Sequence, residues 1–125
     1  MSTPSLIVFD WGGVVLRICR SWEEGCQRAG LPLHEADLQP EKRDLRAEAA
    51  HAYQLCKISC DACCTHLSST TDGRISPADA QRLHDAWLIA EYHGMAELIA
   101  ELNRLAGLST ALLSDTTAGH WRRHL

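Results

Sequence analysis

At 125 residues, with 46% hydrophobic and 22% charged side chains, the chain has the composition of a globular protein with room for about one domain. A formal net charge of -4 and scattered Lys and Arg residues leave no basic stretch, which argues against nucleic acid as a partner. Residues Met1 to Ser5 lack a basic leader and no apolar run approaches membrane-spanning length, so neither a signal peptide nor a membrane is expected, and the expected location is cytoplasmic.

Leu6-Ile7-Val8-Phe9 is a short continuous apolar run with β-branched residues, followed by Gly12-Gly13, and it predicts a buried strand with Asp10 where strand becomes loop. Ser21-Trp22-Glu23-Glu24 is a capping-box pattern and Gly30 a stop, which predicts a helix over 22–29. From Glu41 to Leu55 the chain is rich in Ala, Glu, Arg and Leu, a second helix with Leu45, Ala49, Ala52 and Leu55 or Cys56 along one face. Ser59 caps a third helix through Leu67, residues 68–73 form a polar loop, and Ser76-Pro77-Ala78-Asp79 opens a fourth helix with Ala80, Leu83 and Trp87 facing inward.

Met95, Leu98, Ile99, Leu102 and Leu105 repeat at helical spacing up to Gly107, and residues 108–113 read as a second buried strand ending at Ser114-Asp115-Thr116. Residues 117–125 read as the start of a further helix. Two strands joined through a helix should be parallel, and open α/β sheets bind ligands outside the carboxyl ends of their strands. Asp10 and Ser114 are therefore expected at one crevice. A carboxylate there can act as a covalent nucleophile or bind a divalent cation, while Gly12-Gly13 lets backbone N–H groups approach a phosphate. Ser114-Asp115-Thr116 is equally suited to capping a helix.

Six cysteines, four of them within residues 56–64, come without an export signal, so reduced thiols are expected rather than a disulfide scaffold. Cys56, Cys60 and Cys63 share one helical face, but a structural zinc site draws ligands from a second element, and core packing is the expected use. The seven histidines are expected to be solvated or to lie at the edge of the core.

Val8-Phe9-Asp10-Trp11-Gly12-Gly13-Val14-Val15 resembles motif I of the haloacid dehalogenase superfamily, and Ala111-Leu112-Leu113-Ser114-Asp115-Thr116 resembles its motif II. The helical stretch between them resembles the cap inserted in subfamily I members, with Tyr53, Ile58-Ser59 and Trp87 as smaller echoes and Cys56-Lys57 replacing the usual Gly-Glu. The resemblance implies an α/β fold: a partial Rossmann-like core with parallel strands at about 5–10 and 108–114, an incomplete core formed by 1–16 and 93–125, and a helical cap over 17–92.

The same resemblance implies a Mg2+-dependent phosphatase of small phosphorylated metabolites. Asp10 would be the nucleophile and a metal ligand, the Gly12 carbonyl a second ligand, and Trp11, Gly12, Ser114 and Asp115 would bind the substrate phosphate. Gly12 stands where most such phosphatases carry a second Asp, although a sugar-phosphate subset has Gly there. The family also uses a Lys and an acidic motif downstream of motif II; the lysines here are Lys42 and Lys57, and the chain reaches Leu125 without either feature. The expectation is thus an incomplete enzyme, with a non-catalytic fragment or interaction module as the alternative and 2-haloacid dehalogenation as a lesser one. Two parallel strands would leave an open sheet edge, which makes self-association an expected partnership.

Overall fold

A computed structural model describes residues 5–123. In chain order the elements are β1 (Leu6–Phe9), β2 (Leu16–Ile18), α1 (Trp22–Ala29), a 3-10 turn (Glu35–Leu38), α2 (Pro40–Gln54), α3 (Cys60–Ser69), α4 (Pro77–Ala86), β3 (Leu88–Glu91), α5 (Met95–Arg104), β4 (Ser109–Leu112) and α6 (Ala118–Arg123). The fold is mixed α/β, with six helices and a small parallel sheet among the described residues. It divides into two compact units. One holds the chain up to Ile18 together with Leu88–Asp115; the other holds Cys19–Trp87 together with the chain from Thr116 onward. The breaks lie at 18/19, 87/88 and 115/116, and the last of them places α6 in the helical unit.

In the sheet-bearing unit, β1 pairs with β4 in parallel, with Leu6 opposite Ser109 and Phe9 opposite Leu112. The strand length and β-branched content that predicted β1 and β4 therefore correspond to a real ladder. A second ladder, β2 antiparallel to β3 with an irregularity at Arg17 and Ile18, was not expected. Leu16-Arg17-Ile18 is too short to show a period, and Leu88 to Glu91 reads as a continuation of the helix before it.

Paired residues of a parallel ladder project to the same side, so Leu6 and Val8 share a face with Ser109 and Ala111, and Ile7 and Phe9 share the other with Thr110 and Leu112. Helix α5 covers the second face, where the Thr110 hydroxyl bonds the Asn103 side chain at 2.9 Å. The first face remains open: Leu6 is 53% and Val8 51% exposed, and Leu113 just beyond β4 is 74% exposed. The expectation of buried strands therefore fails for these side chains, because two strands and one helix cover only one side of a sheet.

The helical unit holds the hydrophobic core, built from Trp22 and Cys26 on α1, Ala49 and Tyr53 on α2, Cys63, Cys64 and Leu67 on α3, Ile75, and Ala80 and Leu83 on α4. Its helix starts are chemically defined. Ser21 accepts from the Glu24 N–H at 3.1 Å, and Ser59 from Ala62 at 3.1 Å. Ser76 and Asp79 form a reciprocal capping box before Pro77. Gly30 closes α1 at φ 69°, a left-handed conformation that costs glycine little. Gly25 is needed for a different reason: a Cβ there would lie 3.0 Å from the Trp87 ring, so α1 and α4 approach closely because it is absent.

Helix α2 departs from the predicted face. Arg46, Ala49 and Tyr53 are buried, while Leu45 and Leu55 stand half exposed. Leu45 and Ala52 instead line an open groove of about 360 Å³ with Glu48, Ile58, His66 and Thr70. Hydropathy misjudged this helix because Arg46 and Tyr53 bury their stems while Arg46 Nη2 and the Tyr53 hydroxyl find hydrogen-bond partners. The Arg46 guanidinium lies 4.3 Å from the centre of the Trp22 ring and donates to the Asp37 carbonyl at 2.7 Å. Asp37, 1% exposed at its side chain, forms an ion pair with Arg74.

Candidate active site

The apolar run of β1 ends at Phe9, and Asp10 is the first residue past the strand. Its carboxylate is exposed, and Oδ1 accepts from the Trp11 N–H at 2.7 Å, which orients the group locally. The chain then turns tightly: the Trp11 carbonyl receives the N–H groups of Val14, Val15 and Leu16 at 3.3, 3.0 and 2.9 Å, and the Gly13 N–H bonds the Leu16 carbonyl at 2.7 Å. Gly13 sits at φ 81°, where a side chain would be strained. Gly12 does not: a Cβ there would meet Ile18 Cδ1 at 3.5 Å, an ordinary contact.

The β1–β4 ladder continues one bond past the paired residues, from the Leu113 N–H to the Phe9 carbonyl at 2.9 Å. Asp10 and Ser114 consequently leave neighbouring parallel strands at the same, carboxyl end, with the Gly12-Gly13 turn following the first and Asp115 the second. Ser114 is half-buried, Asp115 exposed and Trp11 buried. All the predicted site residues lie in the sheet-bearing unit. The capping use weighed for Ser114-Asp115-Thr116 falls instead to Thr117, whose hydroxyl accepts from the His120 N–H at 3.2 Å at the start of α6.

Mg2+ takes about six oxygen ligands in near-octahedral geometry. Among the described residues no group of three or more His, Cys, Asp or Glu is arranged to hold a metal ion. Mg2+ commonly keeps several waters and is held by one or two carboxylates together with substrate phosphate, so it draws few donors from protein. The cysteines of α3 are engaged in packing: Cys60 and Cys64 donate to Gln81 Oε1 at 3.0 and 3.5 Å, and Cys63 to the Ala49 carbonyl at 3.8 Å. Burial pushes the Cys64 thiol up to about 12 and the Cys26 thiol to about 11, the opposite of a reactive or metal-binding thiolate.

One polar cluster carried no signal in the sequence. In the helical unit His84, Tyr53, Thr117 and His120, from three separate stretches of chain, meet around stacked imidazole rings. Their separations of 31, 33 and 36 residues bear no period that pattern reading can detect. No helix among the described residues is long and apolar enough to cross a membrane. Compared with protein-family models, with curated proteins and with solved structures, the chain matches none.

Proposed function

We propose that this chain is a haloacid-dehalogenase-like phosphohydrolase acting on small phosphorylated metabolites in the cytoplasm, with the sheet-bearing unit as its catalytic core and the helical unit as its cap. The observation that carries this reading is the exit of Asp10 and Ser114 from the carboxyl ends of two adjacent, hydrogen-bonded parallel strands. That is where open α/β sheets gather their ligands.

The Trp11 N–H holds Oδ1 of Asp10, and Oδ2 attacks the substrate phosphorus. The phosphorus–oxygen bond to the leaving group breaks, and the departing oxygen takes its proton from solvent, because Gly12 offers no acid. Water then attacks the phosphorus of the aspartyl phosphate, releasing inorganic phosphate and restoring the carboxylate. The Ser114 hydroxyl donates to a phosphate oxygen throughout. Bound Mg2+ would supply charge neutralisation for the phosphate.

The test compares p-nitrophenyl phosphate hydrolysis, with Mg2+ present, by the 125-residue chain and by Asp10→Asn. Loss of at least about a hundredfold in rate is expected for a nucleophile deletion. A phosphate adduct on the Asp10 peptide, absent from Asp10→Asn, should accompany it. Equal rates in the two proteins refute the assignment.

A second reading is favoured by the open sheet face, with Leu6, Val8 and Leu113 exposed. On that reading the chain is a non-catalytic interaction module that associates, with itself among other partners, through the apolar face and strand edges. No turnover by either protein, together with a mass above the monomer in light scattering, would select it.

A further inference from the structure

Helix α6 is tied to the helical unit by an unusual arrangement. The imidazole rings of His84 on α4 and His120 on α6 stack with centroids 3.8 Å apart and planes 16° from parallel. His120 Nε2 lies 2.7 Å from the His84 carbonyl, which only accepts, so this nitrogen carries a proton. Thr117 Oγ1 stands 3.3 Å from His84 Nε2, and the Gly119 N–H donates to the Tyr53 hydroxyl at 3.1 Å. Arg123 pairs with Asp85 at 3.0 Å.

His84 is the centre of this contact, with its side chain 11% exposed. Its Nδ1 is buried without a hydrogen-bond partner, 4.0 Å from an Asp85 carboxylate oxygen. The groups facing the ring are Asp85 on its own helix, His120 and Arg123 on α6, and Tyr53 on α2, whose hydroxyl in turn meets Cys60 on α3. Against two basic residues there is one carboxylate, itself shared with Arg123. A second proton on His84 would have to be held in a nearly dry site, against the face of another imidazole.

We propose that the His84–His120 stack is a proton-operated latch: with His84 neutral it holds α6 against α2 and α4, and protonation of His84 in mildly acidic conditions lets α6 go. The consequence reaches the candidate site along the chain, because residues 113–117 are the segment between β4 and α6, and release removes the anchor at their C-terminal end. The latch does not depend on what chemistry Asp10 performs.

Burial, followed by the charge of His120, lowers the His84 pKa from 6.5 to about 4. The released chain, with the ordinary value, therefore takes up the proton first, and docking weakens as pH falls from about 6.5 towards 4. Linkage between those values predicts a docking constant about twentyfold smaller at pH 5 than at pH 7.

Native-state hydrogen exchange followed by NMR reads this directly. After correction for intrinsic exchange, protection of the Gly119, His120 and Trp121 amides should fall about twentyfold between pH 7 and pH 5. Protection of α1 and α4 amides should change far less. In His84→Gln, which keeps a polar atom near Thr117 and cannot titrate, the ratio should drop below about two. If that variant fails to dock α6 at pH 7, His84→Phe keeps the stacked ring and serves in its place. The ring resonances of His84, titrated in the wild-type chain, give a reading independent of any variant. A His84 midpoint at or above pH 6.5 overturns the proposal, as does equal loss of protection in α6 and α4.

Discussion

Arg74→Met removes the partner of buried Asp37 in the helical unit, together with a 3.7 Å contact to exposed Asp72. Asp37 is enclosed: one carboxylate oxygen meets Arg74, and the other, Oδ2, is buried with no hydrogen-bond partner. Arg46 is not a substitute, since its contact is with the Asp37 main-chain carbonyl and its guanidinium lies over Trp22. Methionine preserves much of the stem's packing and removes the charge, leaving a carboxylate in a low-dielectric site without a counter-ion. Breaking a buried pair in this way costs about 3–5 kcal/mol. Because the Arg74 side chain is 31% exposed, water can partly replace it and the lower end, about 3 kcal/mol, is the expected value. That is a large share of the 5–15 kcal/mol typical of a whole domain. Urea unfolding followed by far-ultraviolet circular dichroism should show the midpoint falling at unchanged slope. The double variant Asp37→Asn/Arg74→Met should recover part of the loss, since a neutral amide needs no counter-charge. A fall under about 1 kcal/mol, or a double variant no more stable than Arg74→Met, would refute the electrostatic account.

Two further substitutions probe glycines. Gly25→Val introduces three carbons where even a Cβ would stand 3.0–3.3 Å from Trp87 and Leu83, so α1 and α4 must separate; a loss of about 2–3 kcal/mol is expected in thermal unfolding, and an unchanged midpoint would show that the helices can slide apart freely. Gly12→Asp adds its side chain where a Cβ makes only an ordinary 3.5 Å contact with Ile18 and the backbone needs no positive φ. Its stability should stay within about 1 kcal/mol of wild type, and on the phosphohydrolase reading p-nitrophenyl phosphate turnover should rise because the leaving group gains an acid. A stable variant with no gain in rate would place the limiting step elsewhere.

The legible parts of this chain are those whose physics is local. Ser21 before Glu24, Ser59 before Ala62, and Ser76-Pro77 before Asp79 satisfy backbone donors within one turn, so the starts of α1, α3 and α4 follow from adjacent residues alone. The apolar runs 6–9 and 108–113 likewise carry enough β-branched and apolar content to mark strands, and the helix between 95 and 104 suffices to make them parallel neighbours with Asp10 and Ser114 at one end. What sequence could not settle was which surfaces would be covered. Leu6, Val8, Leu45 and Leu55 have core hydropathy yet lie exposed, whereas Arg46 and Asp37 are buried. Burial depends on whether another element arrives to pack a face, and on whether a polar tip finds a partner, as Arg46 does at the Asp37 carbonyl and Arg74 does at the Asp37 side chain. The His84–His120 stack has the same origin: neither histidine has a distinctive neighbour in the sequence, and only the docking of α6 on α4 brings the two rings together.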